Sequence, residues 1–164
     1  MNHSRKISFL TTGGTIDKIY FDANSEFTVG DSLITQILSE GKVDVDYEIA
    51  SLMRKDSLEL TDEDRQTIFD AVNDSDGDRF IVTHGTDTMT QTAEKLSSLS
   101  GKTVVLTGAL TPARFRTTDA VFNLGMAVAA VQSQPHGVYI AMSGQVFPAG
   151  SVKKNLEAQR FEWL

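Results

Sequence analysis

Residues 78 to 110 read DRFIVTHGTDTMTQTAEKLSSLSGKTVVLTGAL. An apolar run, FIV at 80–82, leads into a polar corner, THGTDT at 83–88. A segment with helical spacing at Met89, Ala93 and Leu96 follows, and then a nearly continuous apolar strand, KTVVLTGAL at 102–110. Apolar strands that do not alternate are buried on both faces, which is the habit of parallel sheets covered by helices.

The same alternation extends in both directions. KISFLTT (6–12) reads as a first strand, DSLITQILSEG (31–41) as a short helix closed by Gly41, and VDYEIASL (45–52) as a strand. In LTDEDRQTIFDAVND (60–74), Thr61 is placed to cap a helix whose first turn holds three acids, suited to the positive end of the dipole. Its buried stripe is Ile68, Ala71 and Val72. TDAVFNLGMAVAAVQSQ (118–134) is the longest helix, rich in small apolar residues that fit either core packing or a dimer contact. GVYIAMSGQVFPAG (137–150) reads as a hairpin around a Ser-Gly turn.

The expected fold is α/β: three layers, with a mostly parallel, flavodoxin-like sheet and helices on both faces. Residues 13–30 form the longest stretch without clear periodicity, and so long a loop in a compact domain is expected to be functional or mobile.

A chain of 164 residues fits one domain with a real core. Its 40% hydrophobic and 23% charged residues are ordinary globular values. No apolar run approaches a membrane span, and the apolar segment before Gly13 is too short for a signal-peptide core, so a cytoplasmic protein is expected. The absence of cysteine excludes disulfides, thiolate catalysis and cysteine metal sites. A net charge of −7 argues against nucleic acid or anionic membrane as partners and leaves small molecules or proteins.

In open parallel sheets, ligands bind beyond the carboxyl ends of the strands. Three strands here end in polar turn sequences: TTGGT (11–15), THGTDT (83–88) and TGALTP (107–112). Gly13 and Gly14 have the spacing of neither a P-loop nor a dinucleotide fingerprint, so phosphate recognition is disfavoured. His84 has no H-x-x-x-H partner and no cysteine near it, and a structural role is expected. Asp87 or Thr88 is placed to cap the helix that follows. No metal and no cofactor are expected.

TTGGTI (11–16) together with THGTDTM (83–89) resembles the two signature regions of the bacterial-type L-asparaginases, the asparaginase/glutaminase family. Further segments fit in order. DSLELTDED (56–64) is similar to the family's serine-containing substrate loop, LTGALTPARF (106–115) to its GA-x-RP strand end, DAVFNL (119–124) to its DGPxNL helix start, and YIAMSGQVFPAGSVKKN (139–155) to its hairpin and following lysine.

The resemblance implies hydrolysis of L-asparagine to aspartate and ammonia, with Thr15 as nucleophile and a β-aspartyl ester as intermediate. A threonine hydroxyl is a poor nucleophile near neutrality, so a neighbour must accept its proton. By position, the family's relay falls on Thr86, Lys154 and Asp87. Lys154 either stays charged and polarises Thr86 or sheds its proton, and the sequence leaves both open. Gly14, Gly85 and the Thr86 amide are candidate donors to the developing oxyanion, each typically worth about 2.7–4 kcal/mol of barrier. Ser57 and Asp87 are the candidates for the substrate's α-carboxylate and α-ammonium.

Three departures accompany the match. Family members run about twice this length, and the resemblance covers 1–164 as a single N-terminal-type domain with no C-terminal domain. FTVG (27–30) places Phe27 where many members have tyrosine, so Tyr20 is the candidate to activate Thr15. Leu58 stands where many members carry glutamine, and Glu59 or a partner chain is the candidate replacement. A homodimer or higher homo-oligomer is expected. Two rival readings stay open: a non-catalytic asparagine- or aspartate-binding module, and an amidase supplying ammonia within an amidotransferase complex.

Overall fold

The computed structural model describes residues 5–21, 26–30 and 32–164, and of residues 20, 21, 26 and 27 the backbone alone. In chain order, the first strands are β1 (Ile7–Gly13), β2 (Lys18–Phe21), β3 (Glu26–Val29) and β4 (Tyr47–Lys55). They are followed by β5 (Arg79–Thr83), β6 (Thr103–Thr107), β7 (Gly137–Met142), β8 (Gln145–Pro148), β9 (Val152–Asn155) and β10 (Arg160–Trp163). The helices are α1 (Ile34–Glu40), α2 (Asp62–Asn73), α3 (Met89–Leu96) and α4 (Ala120–Ser133).

Six strands form the central sheet in the order β4-β1-β5-β6-β7-β8. All pairs are parallel except β7 with β8. The five parallel strands thus run second, first, third, fourth, fifth in chain order, the flavodoxin-like arrangement, which opens a crevice where the order reverses. That reversal lies between β1 and β5. Their register sets Thr11 beside Thr83, and Thr83 beside Thr107, so three threonines line up at the carboxyl edge of the sheet.

Each face of the sheet carries a helical layer. Ile68 and Val72 of α2 and Met89, Ala93 and Leu96 of α3 pack on one face, over Leu10, Phe80, Val82, Val104 and Leu106. Ile34 and Leu38 of α1 and Leu124, Ala127 and Val131 of α4 pack on the other, over Ile7, Phe9, Ile81 and Val105. Successive side chains of β5 and β6 therefore enter opposite layers, which explains apolar runs with no alternation. In α4, Ala127 and Ala130 belong to the core while Val121 and Phe122 face outward.

Local chemistry sets the element ends. Thr61 accepts the Asp64 amide at 3.2 Å and Asp64 accepts the Thr61 amide at 2.9 Å, a reciprocal cap at the start of α2. Ser143 and Gly144, with φ of 54° and 73°, make the two-residue turn joining β7 to β8, whose twist suits a hairpin. Gly41 closes α1, but the left-handed residue is Lys42, with φ of 53°.

Two hairpins depart from the sequence expectation. Part of the stretch 13–30 is regular: β2 pairs antiparallel with β3. KIYF and EFTV are rich in strand-forming residues, but four residues each are too few to show a period. β9 pairs antiparallel with β10 in a segment where no strand was expected, because VKKN and RFEW are short and charged. β10 is held by Phe161, which is fully buried with Phe147 and Val152. The Trp163 ring meets Phe147 edge-on at 4.8 Å. Among the described residues no helix is long and apolar enough to cross a membrane.

Candidate active site

The crevice between β1 and β5 is closed by glycine. Gly13 and Gly14 have φ of 102° and 85°, a conformation costly to any other residue. A Cβ on Gly13 would lie 2.5 Å from the Lys55 carbonyl oxygen, and one on Gly14 would lie 2.4 Å from the Gly85 nitrogen. Gly85 is equally confined, since a Cβ there would lie 2.5 Å from the Ser57 Cβ. The end of β1, the corner after β5 and the turn holding Ser57 are thereby in mutual backbone contact. Thr12 adds a bond, its hydroxyl donating to the Thr83 carbonyl at 2.8 Å.

Thr15 is the first residue past this contact and opens a 3₁₀ turn, Thr15–Asp17. It lines a cavity of about 320 Å3 with Lys18, Leu110, Thr111, Pro112 and Phe115. The 110–112 wall is held from behind. Asp119 accepts the amides of Leu110 at 2.9 Å and Thr111 at 3.0 Å, and Asn123 donates to both Asp119 and the Gly108 carbonyl. The match of DAVFNL to its family pattern thus falls on residues that shape the loop beside Thr15.

Thr86 lies beyond Gly85 and is nearly buried. Lys154, reaching in from β9, donates to Thr86 Oγ1 at 2.8 Å and to Asp87 Oδ1 at 2.7 Å. Its neighbour Lys153 turns to Glu162 at 3.6 Å, on the other side of the hairpin. Two adjacent lysines on a strand point to opposite faces, so only one of them can reach Thr86.

Ser57 is buried and begins a second 3₁₀ turn, Ser57–Glu59. Its hydroxyl accepts the Asp87 amide at 3.2 Å, and its carbonyl accepts the Thr88 hydroxyl at 2.8 Å. This corrects the capping expectation for α3. Thr88 occupies the cap position without a side-chain cap bond, and the Asp87 carboxylate is turned to Lys154. Glu59 is exposed, and its carboxylate accepts the Asp56 amide at 3.4 Å. The Tyr20 side chain lies outside the described atoms. Its backbone pairs with Phe27 across the β2–β3 hairpin, so Phe27 and the candidate Tyr20 are cross-strand neighbours.

Lys18 and Asp56, which the sequence did not single out, meet at 2.7 Å. This ion pair ties the Thr15 turn to the Ser57 turn, and the Lys18 ammonium holds the Asp56 carboxyl below the usual carboxylate range. The available signal was weak: each is a charge flanking a site motif.

His84 is completely buried, with Nδ1 2.7 Å from the Gly85 carbonyl oxygen and Nε2 2.7 Å from the Thr92 hydroxyl. Burial pushes its imidazole down to about 4, so the ring is neutral near pH 7. Among the described residues, no group of three or more potential metal-ligating side chains is gathered.

This geometry places a threonine at each of two glycine corners, one corner supplied with a lysine and a carboxylate. Residues 6–162 match the family described as Asparaginase, N-terminal. The chain belongs to the asparaginase family. It is 34% identical over 160 residues to a probable periplasmic L-asparaginase of Haemophilus influenzae, a match spanning 90% of this chain and 46% of that one. It is also 30% identical over 148 residues to a component of the Glutamyl-tRNA(Gln) amidotransferase of Methanosphaera stadtmanae, covering 85% of this chain and 34% of that component. Among solved structures, the probable cytoplasmic L-asparaginase of Campylobacter jejuni superposes with a TM-score of 0.82 at 29% identity, over 97% of this chain and 53% of that one. This asparaginase-family chain thus spans about half the length of the L-asparaginases it matches.

Proposed function

We propose that the chain hydrolyses L-asparagine to L-aspartate and ammonia. In this reading Thr15 Oγ attacks the side-chain amide carbon while its proton passes to a neighbouring base, for which Tyr20 is the candidate. The tetrahedral intermediate collapses as the amide nitrogen takes up a proton and leaves as ammonia, and a β-aspartyl ester on Thr15 remains. Water, deprotonated at Thr86 with Lys154 and Asp87 behind it, then attacks the ester and releases aspartate and free Thr15.

The observation that carries the reading is the Lys154 contact with both Thr86 and Asp87 at 2.8 and 2.7 Å. A half-buried lysine held against a hydroxyl and a carboxylate lowers the energy of a developing alkoxide or hydroxide. Thr86 follows directly on the Gly14–Gly85 contact that brings the Thr15 turn alongside. Backbone N–H groups at these corners are fixed donors for the oxyanion, and Ser57 and Asp87 are assigned to the α-carboxylate and α-ammonium. Activity in the cytoplasm as a homo-oligomer completes the proposal.

The test is ammonia release from L-asparagine by the wild-type protein and by Thr15→Ala and Thr86→Ala. Loss of at least about 10²-fold in kcat for each variant supports the mechanism. Release unchanged by either substitution refutes it.

The similarity to an amidotransferase component favours one second reading, in which ammonia is delivered to a partner enzyme. A protein idle on free asparagine, but active once a co-purifying partner is added back, would select it.

A further inference from the structure

We infer that His84 is a positioning residue that aims the Thr86 backbone N–H at the oxyanion site. The inference rests on the hydrolytic reading above and deepens it.

Hydrogen-bond chemistry decides which atom donates. The Gly85 carbonyl oxygen only accepts, so the 2.7 Å contact with His84 Nδ1 requires a proton on Nδ1. A neutral imidazole then has a bare Nε2, which accepts the Thr92 hydroxyl at 2.7 Å. Burial keeps the ring neutral, and the two bonds together fix one tautomer and one ring orientation.

The same bond fixes a peptide plane. Gly85 C=O and Thr86 N–H belong to one planar unit and point in opposite directions. Holding the carbonyl against His84 therefore turns the Thr86 N–H away from the imidazole and the α3 layer. Among the described residues the next amide, Asp87 N–H, is taken by Ser57 Oγ, whereas Thr86 N–H meets no protein acceptor. A nearly buried donor without a protein partner is the group an oxyanion needs.

Gly85 lacks the side chain that would resist rotation of this plane, and its Cα is already pressed against Ser57. The imidazole supplies the missing constraint. It touches no substrate, so its effect belongs in kcat rather than KM.

Two substitutions separate aiming from filling. His84→Asn keeps an amide donor close to the Nδ1 position, whereas His84→Gln, nearer to histidine in size, moves the donor to the Nε2 position. The expected result is kcat on L-asparagine at least about tenfold lower for H84Q than for H84N, with KM within about threefold in both. A space-filling role predicts the reverse order, and that order or equal kcat values would overturn the inference. If H84Q does not fold, Thr92→Val and Thr92→Ser serve instead: valine lowers kcat and serine restores it, and identical rates overturn the inference. Nitrogen-15 NMR of the wild-type ring reads the tautomer without turnover, with a protonated Nδ1 expected and a protonated Nε2 excluding the inference. A wild-type protein that releases no ammonia defeats the hydrolytic reading itself, and the aiming role with it.

Discussion

Gly14 lies so close to Gly85 that a methyl group on it would sit 2.4 Å from the Gly85 nitrogen and 2.5 Å from its Cα. Backbone meets backbone at the point where the strand order reverses. Gly14→Ala meets both this clash and the left-handed φ of 85°, and the strain alone costs on the order of 1–3 kcal/mol. The expected outcome is a stability loss of at least about 2 kcal/mol in urea unfolding, together with abolished ammonia release. A variant as stable and active as wild type would show that the two corners separate freely.

Lys154 and Lys153 are adjacent yet differ in what they reach. Lys154→Met removes the donor to Thr86 and Asp87 and is expected to lower kcat by about 10²–10⁴-fold. Lys153→Met loses only an exposed pair with Glu162 and is expected to stay within about twofold of wild type. Steady-state kinetics on both variants checks the assignment, and equal losses would reject it.

His84 makes stability depend on pH in a defined window. Its folded-state value of about 4 lies below the ordinary 6.5, so between these values the unfolded chain binds the extra proton. The contribution is fully present above pH 6.5 and is lost as pH falls toward 4, on the order of 3 kcal/mol in all. The neighbouring Arg65 acts in the same direction. Asp56 and Asp64, held low by Lys18 and Lys55, add a second loss at still lower pH. In denaturant unfolding across about pH 2–7, His84→Asn is expected to flatten the decline above about pH 4 and leave the part below it.

Phe161 anchors the hairpin that delivers Lys154. Phe161→Ala is expected to destabilise by about 3–5 kcal/mol through the buried volume it removes. It is also expected to lower kcat even in the fraction that remains folded. Activity normalised to folded protein measures the second effect, and full normalised activity would show that Lys154 is held by its own contacts alone.

The layers of the fold could be read directly from the chain, because β5 and β6 are apolar on both faces and the helices carry one buried stripe each. The two corners were equally legible, since TTGGT and THGTDT concentrate hydroxyls, a carboxylate and glycine where strands end. The choice of Lys154 over Lys153 was not available from residue chemistry, since two lysines in succession look alike until a strand turns them apart. The family pattern alone selected it. The Lys18–Asp56 pair was not legible because it joins segments brought together only by the β1–β4 register. β9 and β10 are not legible in the sequence because four charge-rich residues carry no period, and the packing of Phe161 defines them.

Lys154 and its anchor at Phe161 come after all six strands of the sheet. Under the proposed mechanism, a growing polypeptide on the ribosome holds Thr15, Ser57 and Thr86 long before it holds the cation that serves Thr86. Turnover therefore waits until β9 has followed the whole sheet, so a product terminated between β8 and β9 that still folds its sheet would be unable to complete the hydrolytic cycle.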